Sequence, residues 1–261
     1  MDRTTLIGVI LGILAVGVGM FLKGASPTAL LNPAALLIIF AGTAAAILIA
    51  FPLNEIKKIP ALFKILFKEQ KLIDMKELVT IFIEWATVAR KEGLLALEPK
   101  AEEVDDPFLQ QGIKMIVDGQ PPEFIKDVLM KDLETMEERH ASNATIFTQA
   151  GTYAPTLGVL GAVVGLVAAL GNMADITALG KAISAAFIAT LFGIFSGYVL
   201  WHPFANKLKR KSKKEIMIKE IMIEGLLSIQ DGTSPKILEE KLLTYIPTSE
   251  RDQYKAGGSV G

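Results

Sequence analysis

The chain has 261 residues, 51% apolar and 21% charged, with 27 basic side chains against 28 acidic ones and no cysteine. Its mean hydropathy of +0.42 is too high for an ordinary soluble domain. A net charge of -1 provides no general positive surface for nucleic acid, and the lack of cysteine removes thiolate metal sites, cysteine nucleophiles and disulfides, leaving His140 and His202 as the imidazoles.

The charges avoid four stretches: residues 4–22, 32–54, 141–174 and 182–205 contain no Asp, Glu, Lys or Arg. A helix rises about 1.5 Å per residue and needs about 20 mostly apolar residues to cross about 30 Å of hydrocarbon. Residues 4–22, 33–51, 152–173 and 183–204 each meet that requirement. The polar remainder is too short to enclose four such helices in a soluble core. The sequence therefore predicts an all-α membrane protein with four transmembrane helices, a helical domain between helices 2 and 3, and a helical tail.

In chain order, the first span follows Met1-Asp2-Arg3, a leader too weakly basic for a signal peptide, and it is long for a signal-peptide core. The second starts at Pro33 and is followed by Lys57, Lys58, Lys64 and Lys68, which marks that flank as cytoplasmic. Residues 74–90 read as an amphipathic helix, with Leu78, Ile81, Phe82, Trp85 and Val88 at helical spacing and Gly93 as its stop. Residues 102–106 are acidic and loop-like. A further helix is expected from Pro121-Pro122 through Phe124, Val128, Leu133 and Met136 toward the third span. Asp175 and Lys181 fall in the outer loop between spans three and four.

After the fourth span, Lys207, Lys209, Arg210, Lys211, Lys213 and Lys214 again mark a cytoplasmic flank, and their place beside a span favours anionic lipid over nucleic acid. A helix over 207–231, a break at Gly232 and Pro235, a short helix over 236–245 and a disordered tail over 255–261 complete the reading. The domains are then 1–52 (transmembrane helices 1 and 2), 53–148 (cytoplasmic), 149–206 (transmembrane helices 3 and 4) and 207–261 (cytoplasmic basic tail). Both termini lie inside.

Small residues at four-residue spacing allow helices to approach closely in lipid. They occur as Gly8/Gly12, Gly42/Ala46/Ala50, Gly161/Gly165 and Gly193/Gly197. Thr43, Thr156, Ser184, Thr190 and Ser196 are expected to return their hydroxyls to carbonyls of their own helices. Pro155 and Pro203 each remove a backbone donor and can bend a helix, either as static shape or as a hinge. No Asp, Glu, Lys or Arg lies in a span, so the chain lacks the usual intramembrane ion carrier. There is no glycine-rich phosphate loop and no histidine pair at metal spacing, and Asp105-Asp106 reads as solvated loop, so neither an enzyme nor a cofactor is expected.

Four motifs carry a resemblance: Asn32-Pro33-Ala34-Ala35, the run from Ala89 to Glu98, Tyr153-Ala154-Pro155-Thr156-Leu157-Gly158, and Gly197 to Pro203 leading into the basic stretch. With the order of spans, they make residues 1–245 resemble the A subunit of the bacterial flagellar stator, the MotA/PomA family, in its proton-driven form. The resemblance implies a multi-pass protein of the bacterial cytoplasmic membrane, a homopentamer around two MotB-type B subunits. Their spans would bring the essential aspartate, and their outer domains would anchor to peptidoglycan. It implies that Arg90 and Glu98 face charges on the rotor switch ring protein FliG, that Pro155 and Pro203 couple conformation, and that Thr190 lies in the ion path. Sodium-driven relatives carry a threonine where this chain has Ala162, which favours protons. Three alternatives stay open: an ExbB/TolQ-like energiser, whose class generally has three spans; a self-contained ion channel; and a membrane enzyme using Asp105, Asp106 and His140.

Overall fold

The computed structural model describes residues 2–25, 27–171, 175–249, 251 and 254. Every element among them is helical. Four helices are long and apolar enough to cross a membrane: α1 (Arg3–Leu22), α2 (Pro33–Ala50), α6 (Pro122–Leu170) and α7 (Ile176–Gln230). The others used below are α3 (Ile59–Phe67), α4 (Met75–Glu92), α5 (Pro107–Val117) and α8 (Pro235–Leu243). The chain divides into two compact units, a membrane unit of Met1–Gln70 with His140–Arg210 and a charged unit of Lys71–Arg139 with Lys211–Gly261.

In the membrane unit, α1 buries none of its residues, and Ile7, Leu11, Ile13 and Leu22 stand exposed. Such a surface suits lipid, where all backbone polar groups are satisfied inside the helix. Lys207 holds its first turn, donating to Asp2 Oδ1 (2.8 Å) and Thr4 Oγ1 (2.7 Å). Asn32 caps α2 by accepting from Ala35 N–H at 3.2 Å, with Pro33 in the first turn where no donor is needed. A π turn over Leu37–Ala41 interrupts α2.

The sequence reading assigned no helix to 59–67, where α3 buries Leu62 and Leu66 and exposes Lys64. Asp2 N–H donates to Phe67 O at 2.9 Å, which ties α3 to the start of α1.

Two expected boundaries move. The third span and the helix before it form one 49-residue helix, α6. The fourth begins at Ile176, because Asp175 accepts from Thr177 N–H (2.9 Å) and Ala178 N–H (3.1 Å) and caps the helix there. Lys181 therefore lies in a helix and not in a loop, an arrangement its long stem permits near a membrane face.

The charged unit has its own core. Leu78, Phe82 and Trp85 of α4 pack with Leu109 and Ile113 of α5, Leu129 of α6, Met222 and Leu226 of α7, and Leu238 of α8. Ile81 and Val88 are half-buried against it. Gly225 is required by close approach, since a Cβ there would lie 2.6 Å from the Phe82 ring. The acidic segment is only partly loop: Glu102 ends a short helix, Glu98–Glu102, and Asp106 caps α5 by accepting from Phe108 N–H (2.9 Å) and Leu109 N–H (3.2 Å). The helices expected over 207–231 and 236–245 are the end of α7 and α8. The tail over 255–261 lies outside the described residues.

Candidate functional site

A glycine seam joins α6 and α7 in the membrane unit. A Cβ on Gly193 would lie 2.7 Å from Ala154 O and 2.8 Å from Gly158 Cα, and one on Gly158 would lie 2.9 Å from Ala189 O. Backbone meets backbone there, which glycine alone permits. Gly161 meets Ala189, and Gly12 meets Val199, but nothing lies within 4 Å of a Cβ built on Gly8. The predicted pair Gly8/Gly12 is thus half a contact, and Gly158, at the centre of the seam, was named only as the end of the Tyr153–Gly158 motif and not among the packing residues.

Pro155 lies inside α6. Its ring packs on Gly197, where a Cβ would be 2.7 Å from Pro155 Cγ and 2.8 Å from Gly151 O. Gly197 belongs to a second π turn, Ser196–Trp201, and accepts from His202 N–H at its end. Pro203 follows directly with no N–H to give. A proline and a π turn both interrupt the regular i→i−4 ladder. The structure therefore brings the first proline onto the turn that leads into the second.

Thr190 donates to Ala186 O at 3.3 Å, and Ser196 to Phe192 O at 2.7 Å, as expected of helical hydroxyls. Thr156 donates to Tyr153 O at 2.7 Å. Thr43 departs from the expectation, for its buried Oγ1 has no partner among the described residues. Ala162 and Thr190 are both half-buried, and each lies one residue beyond the Gly161–Ala189 contact.

In the charged unit, Arg90 is in the last turn of α4. Gly93 ends that helix at φ +88°, a left-handed conformation, and donates to Ala89 O at 2.9 Å. The chain then turns through Leu94–Leu97 into the helix that starts at Glu98. Arg90 and Glu98 are both exposed, and among the described residues neither side chain makes a hydrogen bond or ion pair. Lys100 secures the segment on Glu84 of α4 (3.3 Å) and on Glu103 (3.2 Å). The hydrogen bond to Glu103, then that to Glu84, holds its ammonium above the usual lysine range. Leu95, 69% exposed between the two free charges, was missed by the sequence reading.

Residues 100–221 match the model of the MotA/TolQ/ExbB proton channel family. Over 260 residues the chain is 60% identical to Motility protein A of Bacillus subtilis, covering 100% of this chain and 96% of that one. The chain belongs to the motility protein A branch of that family. Its fold matches the flagellar MotAB stator complex from Bacillus subtilis with a TM-score of 0.93, 61% identity and coverage of 97% and 99%. The MotAB structure from C. jejuni matches with a TM-score of 0.90, 31% identity and coverage of 95% and 97%. These two matches cover 97% and 95% of the chain, so the likeness takes in both units.

Proposed function

We propose that the chain is the A-type stator subunit of a bacterial flagellar motor, which with a MotB-type B subunit converts proton flow across the cytoplasmic membrane into torque on the rotor. The carrying observation is the full-length match to the MotAB stator fold in a chain whose four spans contain no Asp or Glu. A proton must then be carried by a carboxylate of another chain, and the B subunit is the source this reading assigns. In this account both termini are cytoplasmic, five A subunits ring the B spans, and no enzymatic step is involved.

Protonation of the partner's carboxylate removes a charge that is costly in low dielectric, and deprotonation restores it. The electrical part of the drive is about 2.3 kcal/mol per charge per 100 mV. The Pro155–Gly197 contact and the π turn before Pro203 are the places where α6 and α7 yield, because the helical ladder is already interrupted there. Thr190 lines the ion's route, and Ala162 offers no oxygen for sodium. Arg90 and Glu98 engage opposite charges on FliG. Exposed pairs contribute only about 0–1 kcal/mol but steer and register a passing partner, which suits a contact that must release at every step.

The test is swimming speed with a proton uncoupler and, separately, with sodium removed. Loss with the uncoupler and persistence without sodium are expected; the opposite pattern rejects the proton assignment. The family model also covers TolQ and ExbB. The four spans favour the stator reading over that class, and motility that survives deletion of the gene would reverse the preference.

A further inference from the structure

We infer that a groove between α1 and α7 binds one anionic phospholipid in the leaflet beside the basic flank of α7, its acyl chain against Gly8 and its phosphate beside Lys207. The inference rests on the membrane unit alone and does not depend on which ion drives the motor.

The two helices run in opposite directions and touch at two levels. At the start of α1, Lys207 Nζ donates to Asp2 Oδ1 (2.8 Å) and Thr4 Oγ1 (2.7 Å). Deeper in the span, a Cβ on Gly12 would lie 2.7 Å from Val199 Cγ1. At about 1.5 Å per residue, the stretch from Thr4 to Gly12 is about 12 Å long. Between the two contacts the helices part and leave an open groove of about 420 Å³. Gly8 lies midway with nothing within 4 Å of a Cβ built on it, and Val9, Val199 and Phe204 add apolar wall. Gly8 thus serves by leaving room, where Gly12 serves by close approach.

The level of the groove in the bilayer identifies the occupant. The uncharged run of α1 begins at Thr4 and the basic stretch of α7 begins at Lys207, so the groove starts among headgroups and ends in hydrocarbon. An α-helix with its side chains is about 10–12 Å across, too wide for this gap, whereas a single hydrocarbon chain enters it. Pro203 lines the same groove, so the bound lipid touches α7 directly after its second π turn.

The mouth selects the headgroup. An ammonium has three donors, and Lys207 uses two on Asp2 and Thr4, which leaves one for a phosphate oxygen. Arg3 immediately precedes Thr4, and Arg210 lies about one turn beyond Lys207 on the same side of α7. Both arginines are exposed, and among the described residues neither makes an ion pair. Arg3, Lys207 and Arg210 against the carboxylate of Asp2 leave the mouth net positive, which complements an anionic headgroup better than a zwitterionic one.

The experiment reconstitutes the full-length chain with its B subunit into nanodiscs of phosphatidylglycerol and phosphatidylcholine in equal parts, then weighs the extracted complex by native mass spectrometry. The retained lipid should be mainly phosphatidylglycerol. Gly8→Leu fills the groove without a clash and should remove one phosphatidylglycerol per copy of this chain. Gly17→Leu, equally open but outside the groove, should retain it. Arg3→Gln combined with Arg210→Gln should abolish the preference for phosphatidylglycerol. Equal retention by Gly8→Leu and the unaltered chain would overturn the site, and equal retention of the two lipids by the unaltered chain would overturn its charge selection. Should Gly8→Leu fail to assemble, a density map of the unaltered complex in the same nanodiscs decides. Elongated density along Gly8 and Val199 that ends at Lys207 supports the lipid, and an empty groove or a neighbouring subunit's side chain in it refutes the inference.

Discussion

Replacing Gly193 by alanine places a methyl group 2.7 Å from Ala154 O and 2.8 Å from Gly158 Cα. Both neighbours are backbone atoms, so no rotamer change relieves the overlap and α6 and α7 must move apart. Overpacking typically costs about 1–3 kcal/mol, and the backbone contacts place this change near the upper end, about 2–3 kcal/mol. At about 1.4 kcal/mol per factor of ten, the folded-to-unfolded ratio should fall roughly 30- to 140-fold at a fixed denaturant concentration. Gly8→Ala is the matched control, because nothing lies within 4 Å of its new Cβ. Unfolding of the purified full-length protein by denaturant titration, run on both variants, measures the difference. Equal midpoints for Gly193→Ala and Gly8→Ala would refute the claim that the seam is packed backbone to backbone.

Arg90→Glu should lower torque on tethered cells while co-purification with the B subunit is unchanged, since the side chain is exposed and unpaired. Pro155→Ala should restore a donor opposite Gly151 O and stiffen α6 at its contact with Gly197, reducing ion flux and rotation together; unchanged rotation would remove the proline from the coupling role. Asp106→Ala removes the cap of α5 and leaves Lys219 without its partner at 3.5 Å, and should destabilise the protein by about 1 kcal/mol, read as a lower midpoint of thermal unfolding.

The spans were legible because a bilayer tolerates so few sequences: 182–205 without a charge has few fates other than lipid or a large core. Their ends were less so. Asp175 looked like loop until its carboxylate was seen accepting from two N–H groups, and that made a helical residue of Lys181. The helix α5 was hidden behind Pro107 and the acids before it, although proline after aspartate is also how a helix starts, as Asp106 and Pro107 do here. Gly158 could have been found from spacing, since Gly151, Gly158 and Gly165 recur every seven residues and so share one face of α6. The two π turns have no comparable signature. They arise where packing between helices outweighs one regular ladder bond, and with them came the unpaired Thr43 that the sequence reading had expected to be satisfied.

The central claim is that this chain cannot carry protons alone, and proton flux into liposomes tests it most directly. Vesicles with the purified chain by itself should show no flux above empty vesicles under an imposed potential, and flux should appear when an active B subunit is reconstituted with it. Proton conduction by the chain alone would contradict the account.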